Sequence, residues 1–202
     1  CVFQAGIQRR SEPNFVFADQ LARTGRLGKV HTVQAHILRW QMKADWLPAE
    51  PEPDRETLDW DLWLGPAPWR PYNQAYLGGC GKWLNYGDFG AGIAGWGSHT
   101  ICQCQSALGL LGSSAVEYEF PGNDTAEGMV SRYADGTKLV LSASGWRGTC
   151  GVRYEGSEAW VSVADNYHRP DVSKPSLLMD FDRLVRDYEL TTQRPMSHIR
   201  DF

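Results

Sequence analysis

After Gly112 the apolar pattern of this chain changes period, and that change limits the folds open to it. Before it, Phe15, Phe17-Ala18 and Leu21-Ala22 recur at helical spacing, as do Ile101, Ala107-Leu108 and Leu111 within 98–111. After it, residues 115–120, 127–134, 138–144, 149–154 and 159–163 alternate with a period of two. Asp135-Gly136 is a strong hairpin turn, and Glu155-Gly156-Ser157-Glu158 makes another. Upstream, 1–7 reads as a short buried strand, and Ser11-Glu12-Pro13 as a capped helix start. Gly25 and Gly28 read as the end of that helix, and 29–40 as a long strand. Residues 180–188 form a further helical pattern, and 198–202 open another. Helices and strands do not alternate as βαβ units. The order predicts an α+β fold, with an open, mainly antiparallel sheet and helices packed on one face.

Between the first long strand and the middle helix, the Pro- and acid-rich stretch 42–55 reads as a loop or lid. It is followed by Asp59-Trp60-Asp61-Leu62-Trp63-Leu64-Gly65-Pro66-Ala67-Pro68-Trp69-Arg70-Pro71-Tyr72. Three Pro between 66 and 71 exclude a helix interior or a central strand there. Ordered loops with large aromatics serve as lids, site walls or interfaces, which makes Trp69 and Tyr72 candidates for ligand contact.

The net charge of −4, with no basic cluster beyond Arg9-Arg10, argues against a nucleic-acid partner. No apolar run reaches membrane-spanning length. Five Cys appear without a C-x-x-C or His/Cys cluster, and Cys102 and Cys104 would face different ways on a helix, so no metal site is expected. Free thiols suit a reducing compartment, the cytoplasm. The chain begins without Met and reads as a trimmed protein, which keeps the periplasm open.

Gly90-Ala91-Gly92-Ile93-Ala94-Gly95 matches G-x-G-x-x-G. A dinucleotide fingerprint needs an apolar strand before it, whereas 82–89 is polar and broken by glycine. The better reading is a tight loop leading into the helix of His99. A His at a helix N-terminus is favoured as the neutral imidazole and can act as a general base. Asp88 and Trp96 lie near it in sequence. A structural His is the commoner outcome for such a residue. His31 and His36 show no partners on their strand, and His168 and His198 lie in loops or ends. No G-x-S-x-G elbow occurs, and no carboxylate pair is singled out by spacing.

Several segments in order resemble one family. Gly6-Ile7-Gln8-Arg9-Arg10-Ser11-Glu12-Pro13 looks like a last Rossmann strand and crossover. Leu21-Ala22-Arg23-Thr24-Gly25-Arg26-Leu27-Gly28-Lys29-Val30 looks like a helix–Gly-x-x-Gly–strand step. Residues 59–67 are close to W-D-x-W-L-G-P-A, and Trp96-Gly97-Ser98-His99 to D-W-G-x-H. Tyr133-Ala134-Asp135-Gly136 and Tyr154-Glu155-Gly156-Ser157-Glu158-Ala159-Trp160 resemble sheet hairpins, and His198-Ile199-Arg200-Asp201-Phe202 the start of a last helix. Together they resemble the C-terminal domain of the glucose–fructose oxidoreductase / inositol dehydrogenase (Gfo/Idh/MocA) family.

That resemblance implies an oxidoreductase dependent on NAD or NADP and acting on a sugar or polyol hydroxyl. Residues 1–10 would be the end of an absent Rossmann domain, and 11–202 the substrate-binding and oligomerisation domain. His99 would be the catalytic residue. Gln8 and Arg9 would lie toward the cofactor, and Arg10, Trp69, Tyr72, Asp88 and Trp96 toward the substrate. The open sheet face would build a homo-oligomer, and the fragment alone would be inactive. Two departures stand out: Gly95 and Cys102 occupy positions where the family often carries Asp. Two alternatives therefore stay open. One is an NAD-dependent glycoside hydrolase working by transient oxidation. The other is a non-catalytic carbohydrate-binding or dimerisation module.

Overall fold

The computed structural model describes residues 3, 5–37, 45–122, 127–167 and 169–193. It forms two compact units, Cys1–Ile37 with Trp96–Phe202, and Leu38–Gly95.

The first unit is built on a seven-stranded sheet. Its strands are β1 (Val30–His36), β2 (Glu117–Glu119), β3 (Val130–Arg132), β4 (Lys138–Ser142), β5 (Val152–Gly156), β6 (Trp160–Val163) and β7 (Asp171–Val172). Their order is β2-β3-β4-β1-β5-β6-β7. Every pairing is antiparallel except β1 with β4, which run parallel. The period-two alternation becomes a two-faced sheet. Val33, Ala35, Leu139, Leu141, Val152, Tyr154, Val161 and Val163 share one face by register and are buried. The opposite face carries Gln34, Arg153, Glu155 and Trp160, where Gln34 donates to Glu155 and Arg153 lies 3.9 Å from the Trp160 ring centre.

Helix α1 (Pro13–Arg23) covers the apolar face with Phe15, Val16, Phe17, Ala18 and Leu21, all buried. At its centre the Tyr154 hydroxyl of β5 donates to Asp19 at 2.7 Å. Gln103, one of the later residues of helix α4 (Ala91–Ala107), donates to the other oxygen of Asp19 at 2.8 Å. Helix α5 (Phe181–Thr192) packs on α1, with Phe181 edge-on to Phe17 at 4.9 Å.

The second unit has its own aromatic core of Trp60, Leu64, Tyr72, Tyr76 and Tyr86. The Trp/Pro run supplies the first three. Its start folds as helix α2 (Trp60–Leu64), capped by Asp59, whose side chain accepts from the Leu62 N–H. Trp60 stacks on Trp63 at 4.8 Å and meets Tyr72 edge-on at 5.2 Å. Residues 66–71 are neither helix nor strand, as three prolines require.

Several details differ from the sequence reading. Residues 5–7 are not a strand but lead into a 3₁₀ turn, Gln8–Ser11. Ser11 is buried as the last residue of that turn, and Glu12 takes the cap position of α1 without a side-chain bond. Helix α3 (Cys80–Trp83) and the 3₁₀ turn Gly87–Phe89 form in and beside the polar, glycine-broken stretch 82–89. Most consequentially, α4 begins at Ala91, so Gly92–Gly95 are helical and His99 lies two turns inside the helix. Gly95 serves packing, since a Cβ on it would fall 2.2 Å from Leu84 Cδ2. Residues 38–40 of the expected long strand, His168 and 198–202 lie outside the described residues.

Candidate functional site

One end of the sheet in the first unit gathers polar and aromatic side chains from five segments. The 3₁₀ turn Gln8–Ser11 presents Arg9, and β1 ends on His36. Helix α4 adds Trp96, His99 and Thr100, the β4–β5 loop adds Trp146, Thr149 and Cys150, and Asp165 follows β6. Asp165 accepts from Arg9 Nε at 3.0 Å, Arg9 Nη2 at 2.5 Å and Thr149 Oγ1 at 2.8 Å. Burial pushes the Asp165 carboxyl up, but bonds from Arg9, Thr149 and the Cys150 thiol pull it below its ordinary value. Cys150 is buried, and its thiol is pushed up to about 11 by that burial, so it is no nucleophile.

The loop fits closely around these groups. A Cβ on Gly148 would fall 1.8 Å from the Asp165 carbonyl oxygen, and one on Gly151 2.2 Å from the Trp146 ring. Trp146 stacks on His36 at 5.7 Å, and the Thr100 hydroxyl donates to the His36 carbonyl at 2.9 Å. Trp96 meets His99 edge-on at 6.3 Å.

Both imidazoles are held neutral. His99 is lowered by burial and then by the positive charge of Arg9, with Asp165 opposing. His36 is lowered by burial, again with Asp165 opposing. The neutral bias of His99 therefore comes from its surroundings and not from a helix N-terminus. His36 Nδ1, His99 Nδ1, Trp96 Nε1 and Trp146 Nε1 are buried and find no hydrogen-bond partner among the described residues. Buried polar groups are normally paired, so four such nitrogens in two ring pairs at one sheet end are unusual. They could meet a ligand carrying both donors and acceptors, such as hydroxyl groups.

Of the residues singled out in the sequence, Arg9, Trp96 and His99 meet in this unit. Gln8 lies beside Arg9, its amide accepting from Arg9 Nη1 at 2.7 Å and donating to Gly6 O at 2.5 Å in the orientation that satisfies both groups. Arg10 is half-buried in the same turn, and its charge acts on Asp19. Trp69, Tyr72 and Asp88 belong to the second unit. Trp69 is exposed there, Tyr72 is a core residue with its hydroxyl on Gln74, and Asp88 pairs with Arg70. Trp146, Thr149, Cys150 and Asp165 escaped the sequence reading, which set His36 aside as a strand residue without partners. Only the glycines at 145, 148 and 151 hinted that the β4–β5 loop approaches other backbone closely.

No group of three or more His, Cys, Asp or Glu among the described residues could hold a metal ion. No described helix is long and apolar enough to cross a membrane. A dinucleotide does not fit the G-x-G-x-x-G segment, because its residues lie in α4 and at its start, where Ala94 N–H already donates to Gly90 O. The Arg9 guanidinium donates to Asp165 and, through Nη1, to Gln8.

Residues 24–174 match the model of the oxidoreductase family, C-terminal alpha/beta domain (Gfo/Idh/MocA). The chain belongs to that family. No curated protein matches it in sequence. Among solved structures, it is similar to aldose-aldose oxidoreductase from Caulobacter crescentus complexed with glycerol (16% identity, 94% of this chain and 54% of that one, TM-score 0.42). It is also similar to myo-inositol 2-dehydrogenase from Lactobacillus plantarum (14%, 93% and 52%, 0.41). A third is scyllo-inositol dehydrogenase from Lactobacillus casei with bound NAD(H) and scyllo-inositol (10%, 96% and 56%, 0.40). The chain spans about half the length of these structures.

Proposed function

We propose that this chain is the substrate-binding domain of an oxidoreductase that acts on a hydroxyl of a sugar or polyol. The observation that carries the reading is His99, a neutral imidazole with a buried, unpartnered Nδ1, set against Trp96 and under the opposed charges of Arg9 and Asp165. A neutral imidazole can take the proton that a hydroxyl loses on oxidation and return it in reduction. The indole N–H groups of Trp96 and Trp146 can donate to substrate oxygens, and His36 offers a second imidazole. Asp165 acts through Arg9, fixing the guanidinium near His99.

The cofactor, NAD or NADP, is held mainly outside this chain, with Gln8 and Arg9 of the 3₁₀ turn lying toward it. The sheet face bearing the half-buried Gln34, Arg153, Glu155 and Trp160 is the surface through which the chain pairs with a second copy. The cytoplasm is the proposed compartment.

The experiment uses the protein that carries this chain together with its cofactor-binding part. A panel of aldoses and inositols is supplied with NAD and with NADP, and reduced nicotinamide is followed by absorbance. Turnover of a polyol that falls when His99 is replaced supports the reading. Glycoside cleavage without net reduction would transfer it to the hydrolase, and sugar binding without turnover to the non-catalytic module.

A further inference from the structure

The second unit contains a groove of about 540 Å³, lined by Trp63, Pro66, Trp83, Asp88, Phe89 and Gly90, among others. That volume is in the range of small-molecule sites. We propose that it is a binding subsite for a neutral, polyhydroxylated ring. The choice of a polyol rests on the proposed function, but the subsite requires neither His99 nor a cofactor.

The walls and the single charged group set the ligand class. Trp63, Trp83 and Phe89 are half-buried; Trp63 already stacks one face on Trp60 and Phe89 lies against Arg70, so Trp83 is the main ring wall of the groove. Aromatic faces take up the C–H face of a sugar or inositol ring, which has no polar group to desolvate there. Asp88 is the acid among the lining residues, and its side chain is 37% exposed. A carboxylate is an acceptor only and suits ligand hydroxyl donors.

Arg70 decides against a cation. It is 1% exposed and pairs with Asp88 through Nη2. Its guanidinium lies 4.6 Å from the Trp46 ring centre, 4.7 Å from Phe89, 5.4 Å from Tyr86 and 5.7 Å from Tyr76. The permanent cation held in these rings already neutralises Asp88 and already uses Phe89. An ammonium ligand would be repelled by it, while a second anion would face the Asp88 carboxylate. A neutral ring avoids both penalties. The carboxylate is thus oriented by Arg70 and remains a hydrogen-bond acceptor within an ion pair of no net charge.

The test titrates this chain with D-glucose, myo-inositol and tetramethylammonium, following Trp fluorescence and heat. Saturable binding of at least one of the two polyols, with a Kd on the order of 1 mM, is expected. Trp83→Ala and Asp88→Asn should each weaken it roughly tenfold, with the far-UV circular dichroism unchanged. If Asp88→Asn disturbs folding, Trp83→Ala alone decides. Binding lost in His99→Ala but kept in Trp83→Ala would overturn the groove and leave the proposed function standing. Tighter binding of tetramethylammonium than of either polyol would overturn the ligand class. No saturable polyol binding up to about 100 mM would overturn the subsite altogether.

Discussion

Asp165 grips Arg9 with both carboxylate oxygens, at 3.0 and 2.5 Å, across 156 residues of sequence. The pair ties the first turn of the chain to the end of β6, and both side chains are at most 19% exposed. Removing one partner leaves a largely buried charge unpaired. Asp165→Asn should therefore destabilise the chain by about 2–3 kcal/mol, read from urea unfolding. Asp165 is lowered when folded, so its contribution is present above about pH 4 and is lost as the pH falls through the lower folded value.

The same pair tunes His99 in opposite directions. Arg9 lowers the imidazole and Asp165 raises it. Arg9→Ala should move the His99 titration to higher pH and Asp165→Asn to lower pH, both measurable by NMR of the ring protons. Shifts in the same direction would mean that the substitutions act through repacking.

Asp19 gives the reverse pH dependence. Its carboxyl is raised to about 7 by complete burial, against bonds from Tyr154 and Gln103 and the charges of Arg23 and Arg10. The folded chain then binds more protons than the unfolded one between about pH 4 and 7. Stability from this group is full below about pH 4 and is lost as the pH rises through about 7, by on the order of 4 kcal/mol. Asp19→Asn should flatten that slope and raise stability at pH 8.

Gly148 and Gly151 should differ in what they break. A Cβ at 148 meets the backbone of Asp165, which cannot swing aside, so Gly148→Ala should cost roughly 2–4 kcal/mol. At 151 the added methyl meets the Trp146 ring, a side chain that can move. Gly151→Ala should cost less and instead alter the near-UV circular dichroism of the Trp146–His36 stack.

The sheet was legible because alternation of period two survives in single strands, as in Val33 and Ala35 or Leu139 and Leu141. The Asp135-Gly136 turn was legible because only a few residues accept such a backbone, and Gly136 sits at φ 88°. The parallel pairing of β1 with β4 was not, since pairing partners leave no local trace. The start of α4 was not legible because glycines read as loop breakers, whereas Gly95 is a small packing residue against Leu84. His99 could be found through its D-W-G-x-H-like context. Asp165, His36 and Trp146 could not, because long-range folding alone brings them to one sheet end.

The central claim is that His99 is the acid–base group of a polyol oxidoreductase, and steady-state turnover of the cofactor-bearing protein tests it most directly. His99→Ala should lower kcat by roughly 10²–10⁴, with the far-UV circular dichroism of the wild type retained. The wild-type rate should fall at acid pH, as the imidazole becomes protonated, and the variant should lose that limb. Unchanged kcat in His99→Ala, with the same pH profile, would contradict the account.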